Sequence, residues 1–197
     1  QIMGKREEKS QETRRLLLAA AEERIRMSGY EQVSVAEITR AAGVAKGTFY
    51  NYFEKKEDLI RALYHSHFEE LNAGITALAE GDACAGIRAY LEGLADVVVQ
   101  ADVMQARAWV RYMLLPQDGR SKWEDDTDAL GALLQGLRDH GRLVHDAPVN
   151  ALAVMLMTHV YGIIFLWTIH PERTVRQEVQ DFCRLHLHAL LAPYLPA

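Results

Sequence analysis

The chain has 197 residues, 49% of them hydrophobic and 25% charged, and its formal net charge at pH 7 is −5. This composition fits one large domain, or a small domain joined to a larger one, and it excludes a largely disordered chain. The negative net charge also argues against a protein that coats nucleic acid over its whole surface.

The charge is unevenly distributed along the chain. Residues 1–56 contain 11 Lys/Arg and 8 Asp/Glu, an excess of three positive charges, whereas residues 57–197 contain 11 and 19, an excess of eight negative charges. This asymmetry suggests a small unit that faces nucleic acid, attached to a larger acidic body. A solvated helix face is the alternative explanation of so small a positive excess.

Helix signals recur along the chain, and no hairpin dipeptide separates alternating β-type runs, so the predicted fold class is all-α. Near the N-terminus, Gly29 ends a first helix, and a capping box of Ser34 and Glu37 starts a second one that Gly43 ends. The predicted helices cover residues 10–28, 35–42, 46–53, 56–81, 83–100, 103–115, 123–140, 148–169 and 174–192.

The short helix predicted over residues 46–53 has two different faces. Phe49 and Phe53 lie about 40° apart around the helix axis and form an apolar stripe. On the other side, Gly47 permits close approach of the backbone to a ligand, and Asn51 can read base edges. Hydroxyl groups that can bond phosphates are supplied by Thr48, Tyr50 and Tyr52.

Together with the preceding helix and the turn at Gly43, this segment forms a candidate helix-turn-helix. From geometry alone, a helical hairpin whose aromatic side chains only pack is the alternative. Residues 33–64, however, closely resemble the DNA-binding segment of the tetracycline-repressor (TetR) family. The resemblance is carried by Ser34, Ile38, Ala42-Gly43-Val44, Lys46-Gly47-Thr48, Phe49-Tyr50, Tyr52-Phe53, Lys56-Glu57 and Leu59.

The resemblance implies an N-terminal three-helix helix-turn-helix head, residues 1–56, and a larger helical effector-binding and dimerisation body, residues 57–197. It makes residues 46–52 the recognition helix, in which Lys46 and Asn51 select sequence. Ala45 stands where many family members have Ser, so a side-chain cap and a hydroxyl contact are lacking there. Tyr50 and Lys56 occupy positions that contact phosphates in the family. The residues expected at the DNA interface are Ser34, Lys46, Gly47, Thr48, Tyr50, Asn51, Tyr52 and Lys56.

The resemblance also implies a homodimer formed by the last two long helices, residues 148–169 and 174–192. The first of these is apolar nearly all round and needs partners on several sides. A monomer that uses both helices in its own core is the alternative. Length alone would let residues 149–169 cross a bilayer, but polar interruptions and the lack of flanking Lys/Arg favour a helix buried by protein.

An effector pocket is expected between the head and the dimer helices. Such pockets are lined by apolar and aromatic side chains with a few polar groups, and a small apolar or aromatic effector is therefore expected. Arg107 and Arg111 lie one turn apart and are interpreted as a solvated face rather than an anion site. The candidate pocket residues are Tyr90, Met104, Trp109, Tyr112, Met113, Trp123, Met155 and His159.

No metal, cofactor or catalytic residue is predicted. The paired histidines lie two residues apart, as at His65 and His67, and point in nearly opposite directions on a helix. The acidic run at residues 124–128 is explained by its position at a helix start, where carboxylates interact favourably with the helix dipole. The two cysteines, Cys84 and Cys183, are far apart in sequence, which favours a reducing cytoplasm over a disulfide framework.

The leading interpretation is a ligand-responsive transcriptional regulator that binds a palindromic DNA operator as a dimer in the cytoplasm. Of the two kinds of regulator, a repressor is favoured over an activator. One alternative is a constitutive DNA-binding protein without an effector. Another is an enzyme that acts on an apolar ligand, although no hydrolase, metalloprotease or nucleotide-binding motif supports it.

Overall fold

A computed structural model of the chain describes residues 5–29, 31–100, 103, 106, 107 and 121–196. Within these ranges the regular structure is helical and contains no strand, which confirms the all-α fold. Of the helix predicted over residues 103–115, only residues 103, 106 and 107 are described, and all three are helical.

The described α-helices follow the predicted order closely. Their bounds are α1 Lys5–Ser28, α2 Val35–Ala41, α3 Lys46–Phe49, α4 Lys56–Ala73, α5 Ile75–Glu80, α6 Ala83–Val99, α7 Lys122–Asp139, α8 Val149–Ile169, α9 Val175–Phe182 and α10 His188–Leu191. One turn of π-helix, Cys183–Leu187, joins α9 to α10, and a 3-10 turn, Ala192–Tyr194, follows α10.

Helix α1 starts at Lys5 instead of residue 10, and the helix predicted over residues 174–192 contains the π-helical turn Cys183–Leu187. Two further predicted helices do not run to their expected ends. The helix expected over residues 56–81 is interrupted at Gly74, whose N–H bonds the carbonyl of Leu71 at 3.1 Å, three residues back instead of four. The helix predicted over residues 46–53 ends at Phe49, because the N–H groups of Asn51 and Tyr52 likewise bond carbonyls three residues back. Both segments tighten into turns where an uninterrupted α-helix was expected.

The chain divides into two compact units, Gln1–His67 and Phe68–Ala197. The division falls inside α4. In the first unit, called the head, α1 packs on α2 and α2 on α3. Its buried apolar side chains are Leu17, Ala21, Val33, Ile38, Phe49, Phe53, Leu59, Ile60 and Leu63.

The second unit, called the body, is built around α6, α7 and α8. Helix α7 packs on α5 and α8, and α9 packs on α6. Leucines at positions 130, 133, 134 and 137 line the inner side of α7 and are fully buried. This spacing places apolar side chains on one face of the helix, which explains how α7 builds the core.

Helix α8 is long and apolar enough to cross a membrane by length and composition, and 44% of its most apolar window is buried within the chain. One face packs into the body through residues such as Leu156, Val160 and Ile164. The opposite face leaves Met155, Phe165, Leu166 and Ile169 between 40% and 51% exposed. The single chain therefore covers only half of this apolar helix.

Candidate nucleic-acid interface

Helix α2 starts at the capping box that the sequence predicts. The Ser34 hydroxyl oxygen accepts a hydrogen bond from the Glu37 N–H at 3.3 Å, and the Glu37 carboxylate accepts from the Ser34 N–H at 2.8 Å. These bonds to Ser34 hold the pKa of Glu37 below its usual value. The cap thus satisfies backbone donors at the helix start, and the exposed Ser34 hydroxyl also donates to Glu37.

The turn between α2 and α3 is closed by backbone bonds and by a glycine. Gly43 has a φ of 69°, a left-handed conformation that favours glycine. The Val44 N–H donates to the Thr39 carbonyl at 3.0 Å, which brings the chain back against α2. Ala45 then precedes α3 with no side-chain cap, as expected from the absence of a serine there.

Two phenylalanines anchor the short helix α3. Phe49 is fully buried and Phe53 is 6% exposed, and their ring centroids are 5.6 Å apart. The Arg14 guanidinium of α1 lies over the Phe53 ring at 5.7 Å, within the range of a cation–π contact. Four helical residues cannot hold a helix by backbone bonds alone, so this packing fixes the orientation of α3.

The other face of this segment is open to solvent. Lys46, Gly47 and Asn51 are exposed, and Tyr50 is 53% exposed with its ring set edge-on against Phe49. A Cβ built on Gly47 would meet nothing within 4 Å in the described part of the chain, so no described residue obstructs that position. A cation, an exposed backbone, a phenol and an amide therefore share one surface. The expected residues Thr48 and Tyr52 lie at its edge and are half-buried.

Lys56 begins α4 and is half-buried. Its Nζ donates a hydrogen bond to the Val33 carbonyl oxygen at 3.0 Å, so the residue expected to clamp a phosphate also ties α4 to the entry of α2. The neighbouring Lys55 is exposed and adds a second cation beside the recognition segment. Sequence reasoning missed Lys55, although its adjacency to Lys56 was visible.

This arrangement of α2, turn and α3 is a helix-turn-helix, and residues 17–63 match the family model described as bacterial regulatory proteins, tetR family. The chain belongs to the TetR family of transcriptional regulators. The match covers the head from α1 to the middle of α4, and it includes the capping box, the glycine turn and both phenylalanines.

TetR-family relatives also match the body of this chain. The HTH-type transcriptional regulator AcrR of Shigella flexneri is 24% identical over 97% of this chain and 95% of its own length. The HTH-type transcriptional repressor NemR of Escherichia coli is 28% identical over 68% of this chain and 71% of its own. Similarity to whole regulators therefore extends well beyond the DNA-binding head.

A solved structure gives the same picture. FadR of Thermus thermophilus, a TetR-family transcriptional repressor crystallised in complex with lauroyl-CoA, superposes with a TM-score of 0.62 and 25% identity. The match covers 93% of this chain and 98% of that protein. The likeness to FadR thus extends over nearly the whole of this chain.

The predicted pocket residues fall in different places. Tyr90 is fully buried, with its hydroxyl bonded to the Asn72 side-chain oxygen at 2.9 Å, and Trp123 is half-buried against the same core. Met155 and His159 lie on the exposed face of α8 instead. Four expected residues lie outside the described part of the chain: Met104, Trp109, Tyr112 and Met113.

His159 of α8 lies against Phe182, the last residue of α9. Its ring stacks on Phe182 with centroids 4.1 Å apart, and Phe182 also contacts the His186 ring at 6.0 Å. Partial burial, and secondarily the nearby His186, lower the pKa of His159. The structure therefore places His159 on the outer surface formed by α8 and α9, rather than beside Tyr90.

Asp126 is a functional candidate that the sequence analysis missed. It is 2% exposed, and its carboxylate bonds the Lys122 ammonium and, at 2.6 Å, the Tyr161 hydroxyl. Burial raises the pKa of Asp126 above its usual value of 3.8, while the charge of Lys122 offsets part of that rise. The acidic run at residues 124–128 was interpreted as a helix-dipole effect alone. That explanation suits Glu124 and Asp125 in the first turn of α7 but not a carboxylate inside the core.

A groove of about 430 Å³ lies between α7 and the start of α8. Its lining combines small residues with polar ones: Thr127, Asp128, Gly131, Ala132, Gln135, Val149, Asn150, Ala153 and Val154. Of the predicted pocket residues that the structure describes, Tyr90, Trp123, Met155 and His159, none lines this groove. Across the described residues, no group of three or more His, Cys, Asp or Glu side chains is arranged to hold a metal ion.

Proposed function

We propose that this TetR-family chain is a ligand-responsive repressor that binds a palindromic operator as a homodimer and is released by a small apolar or aromatic effector. The proposal that the head binds DNA rests on one observation. Lys46, Gly47, Tyr50 and Asn51 are exposed together on the segment that the buried side chain of Phe49 anchors. Repression is favoured because NemR and FadR are both named transcriptional repressors. Such a regulator acts on DNA in the cytoplasm.

The direct role of the surface is to enter the major groove. Asn51 is assigned to base edges, because an amide both donates and accepts. Lys46 is assigned with Asn51 to sequence selection. Tyr50 and Lys56 are assigned to phosphates, which fix the register of the helix but carry no sequence information. Thr48 and Tyr52, at the edge of the same surface, are assigned to further phosphate contacts through their hydroxyl groups.

The homodimer is supported by the uncovered side of α8. Phe165 is 50% exposed and Ile169 51% exposed on that side, and Leu185, from the π-helical turn, is 56% exposed. A soluble monomer rarely leaves so many large apolar side chains open on neighbouring elements. Gly162 lies on the same face, where an added Cβ would meet none of the described residues within 4 Å. A mid-helix glycine without an intrachain reason is explained when a second helix approaches closely.

The effector site is proposed in the body. FadR, which this chain resembles along most of its length, was crystallised in complex with lauroyl-CoA. In the present chain, Tyr90, Tyr161 and Asp126 bring polar groups into an otherwise apolar core, as ligand sites commonly do. An effector that prefers a body conformation with the wrong spacing between heads shifts the dimer away from DNA.

The test is a footprint with the purified full chain on the DNA upstream of its own and neighbouring genes. We expect protection of two inverted half-sites whose centres are about 34–36 Å apart, one helical turn of DNA. Light scattering on the same complex should give two chains, or a multiple of two, per site. Protection indifferent to sequence at moderate salt, or a single half-site bound by one chain, would contradict the proposal.

A further inference from the structure

The first turn of α7 holds an ammonium between an aromatic ring and a buried carboxylate. The Lys122 Nζ lies 3.7 Å from the centroid of the Phe68 ring, which belongs to α4. The same Nζ donates to the Asp126 carboxylate, one helical turn further along α7. A ring face on one side and an anion on the other is the chemistry by which proteins recognise organic ammonium groups.

Packing of the apolar core does not require the ion pair of Lys122 and Asp126. The inner face of α7 is otherwise built from fully buried leucines such as Leu130 and Leu133. Burying an ion pair costs desolvation energy that apolar side chains of similar volume do not incur. Asp126 is nevertheless 2% exposed. Charges kept at such a cost are frequent at functional sites.

Polar and aromatic groups from three further helices surround the carboxylate. Tyr161 of α8 donates its hydroxyl to Asp126 at 2.6 Å, and Asn72 of α4 accepts the hydroxyl of Tyr90 from α6 at 2.9 Å. Burial, and secondarily the negative charge of Asp126, raise the pKa of both tyrosines. Both hydroxyls therefore remain protonated donors.

We propose that this cluster, Phe68, Tyr90, Asp126 and Tyr161, is the effector site, and that it takes a lipophilic organic cation whose ammonium replaces that of Lys122. The proposal rests on the proposed function and names its effector class. Lys122 is the internal occupant of the site in the absence of ligand. An incoming amine carries the same charge to the same carboxylate, and its hydrocarbon part joins the apolar core.

Lys122 is suited to leave. It is the first residue of α7, its side chain is 16% exposed, and its flexible stem ends in a strongly hydrated ammonium. When the Lys122 side chain swings outward, its ammonium leaves the Asp126 carboxylate and is hydrated by water. The space left behind has the volume of a butylammonium ion. Helix α7 itself stays anchored, because Ser121 and Glu124 form a capping box at its start, with bonds of 2.6 Å and 3.3 Å.

The displacement reaches α4 directly. Phe68, whose ring face holds the ammonium, lies on α4, and this helix begins at Lys56 beside the recognition segment. A bulkier amine on the same ring presses against α4, whereas the lysine stem does not. Binding of the cation and the position of α4 are therefore coupled through one contact, as an allosteric effector requires.

The experiment removes the Lys122 side chain from the site and offers n-butylammonium, which has the same four-carbon stem and ammonium group, in its place. In the Lys122→Ala full chain, we expect n-butylammonium to raise the melting temperature and to bind about tenfold more tightly than n-butanol, since one charge-assisted bond and one cation–π contact distinguish them. Lys122→Met, which refills the volume without charge, is the matched control and should not respond. The double variant Lys122→Ala/Asp126→Asn should lose the preference for the amine.

Three outcomes would overturn the proposal: equal stabilisation by butylammonium and butanol, stronger stabilisation by butyrate, or a preference for the amine that survives loss of Asp126. If Lys122→Ala does not fold, the wild-type chain is titrated with n-octylammonium against n-octanol by calorimetry. Asp126→Asn should then weaken the amine at least tenfold and leave the alcohol unchanged, and an equal effect on both would refute the site.

A DNA readout separates this inference from the proposed function. Octylammonium should release the wild-type dimer from its operator, whereas octanol should not. Sequence-specific binding of a dimer that no amine releases refutes the cation site and leaves the repressor assignment standing. Amine binding by a chain that does not bind DNA specifically refutes the repressor assignment and the regulatory role of the site.

Discussion

The Lys56 Nζ donates to the Val33 carbonyl oxygen at 3.0 Å, which ties the first residue of α4 to the residue before the Ser34 cap of α2. A side chain expected to contact DNA thus also holds two elements of the head together. Substitution of Lys56 therefore has two effects that must be separated.

Lys56→Ala is expected to lower the stability of the head by about 1–2 kcal/mol, because a hydrogen bond from a charged donor is lost. It should also reduce the salt dependence of DNA binding by about one phosphate contact. Lys55→Ala is the matched control, since Lys55 is the exposed neighbour with the same charge. It should change the salt dependence without changing the melting temperature, and an equal loss of stability in both variants would refute the structural role of Lys56.

Ser34→Ala removes the N-cap of α2 and is expected to cost about 1 kcal/mol of stability, the usual value for a lost Ser cap. Urea denaturation followed by circular dichroism measures it. Ser121→Ala removes the equivalent cap of α7 in the body and should destabilise by a similar amount. Only Ser34→Ala should weaken operator binding more than the stability loss accounts for, because only that cap positions the helix-turn-helix. Equal operator affinity in the two variants would contradict this.

Asn51→Ala and Tyr50→Phe should differ in kind. Loss of the Asn51 amide is expected to cost about 1–3 kcal/mol at the preferred operator and nearly nothing on random DNA. Loss of the Tyr50 hydroxyl should weaken binding to both DNAs by a similar factor, because a phosphate contact carries no sequence information. Titrations on matched operator and scrambled duplexes decide the matter, and a uniform loss for Asn51→Ala would remove it from base readout.

Phe165→Asp places a charge on the open face of α8 and is expected to give monomers by light scattering. Leu185→Asp, on the neighbouring π-helical turn, should do the same. Met27→Asp is the control, since Met27 is 64% exposed on the head and also apolar. That variant should remain dimeric. A dimer that survives both Phe165→Asp and Leu185→Asp would place the interface elsewhere.

Asp126 predicts a pH dependence of stability. Its pKa is raised in the folded body above the usual value of 3.8, so the native state binds more protons than the unfolded state between those two values. Stability should therefore fall as the pH rises from about 4 through the raised pKa and then level off. Asp126→Asn should remove this component of the slope, whereas Asp128→Asn, an exposed position on the same helix, should retain it. Urea denaturation between pH 4 and 8 provides the comparison.

The head was predictable because its signals are local. The capping box of Ser34 and Glu37, the left-handed Gly43 and the stripe of Phe49 and Phe53 each depend on residues a few positions apart. The chain geometry of a helix or a turn fixes what such neighbours do. Helix ends were less predictable. A glycine such as Gly74 is compatible with a continuous helix, and the bond from its N–H to the Leu71 carbonyl, which ends α4, has no signal in the local sequence.

The body was decided by contacts that no local pattern encodes. Asp126 stood in an acidic run that suits a solvated helix start, and only the packing of α7 against Tyr161 of α8 buries it. Met155 and His159 had the composition of pocket residues but face outward. The sequence alone determined the fold class, the head and its exposed surface. Which side of each body helix is buried depended on residues 18 to 61 positions apart, such as Tyr90 with Asn72 and Arg107 with Thr168, because burial results from packing between helices rather than from the periodicity of any one of them.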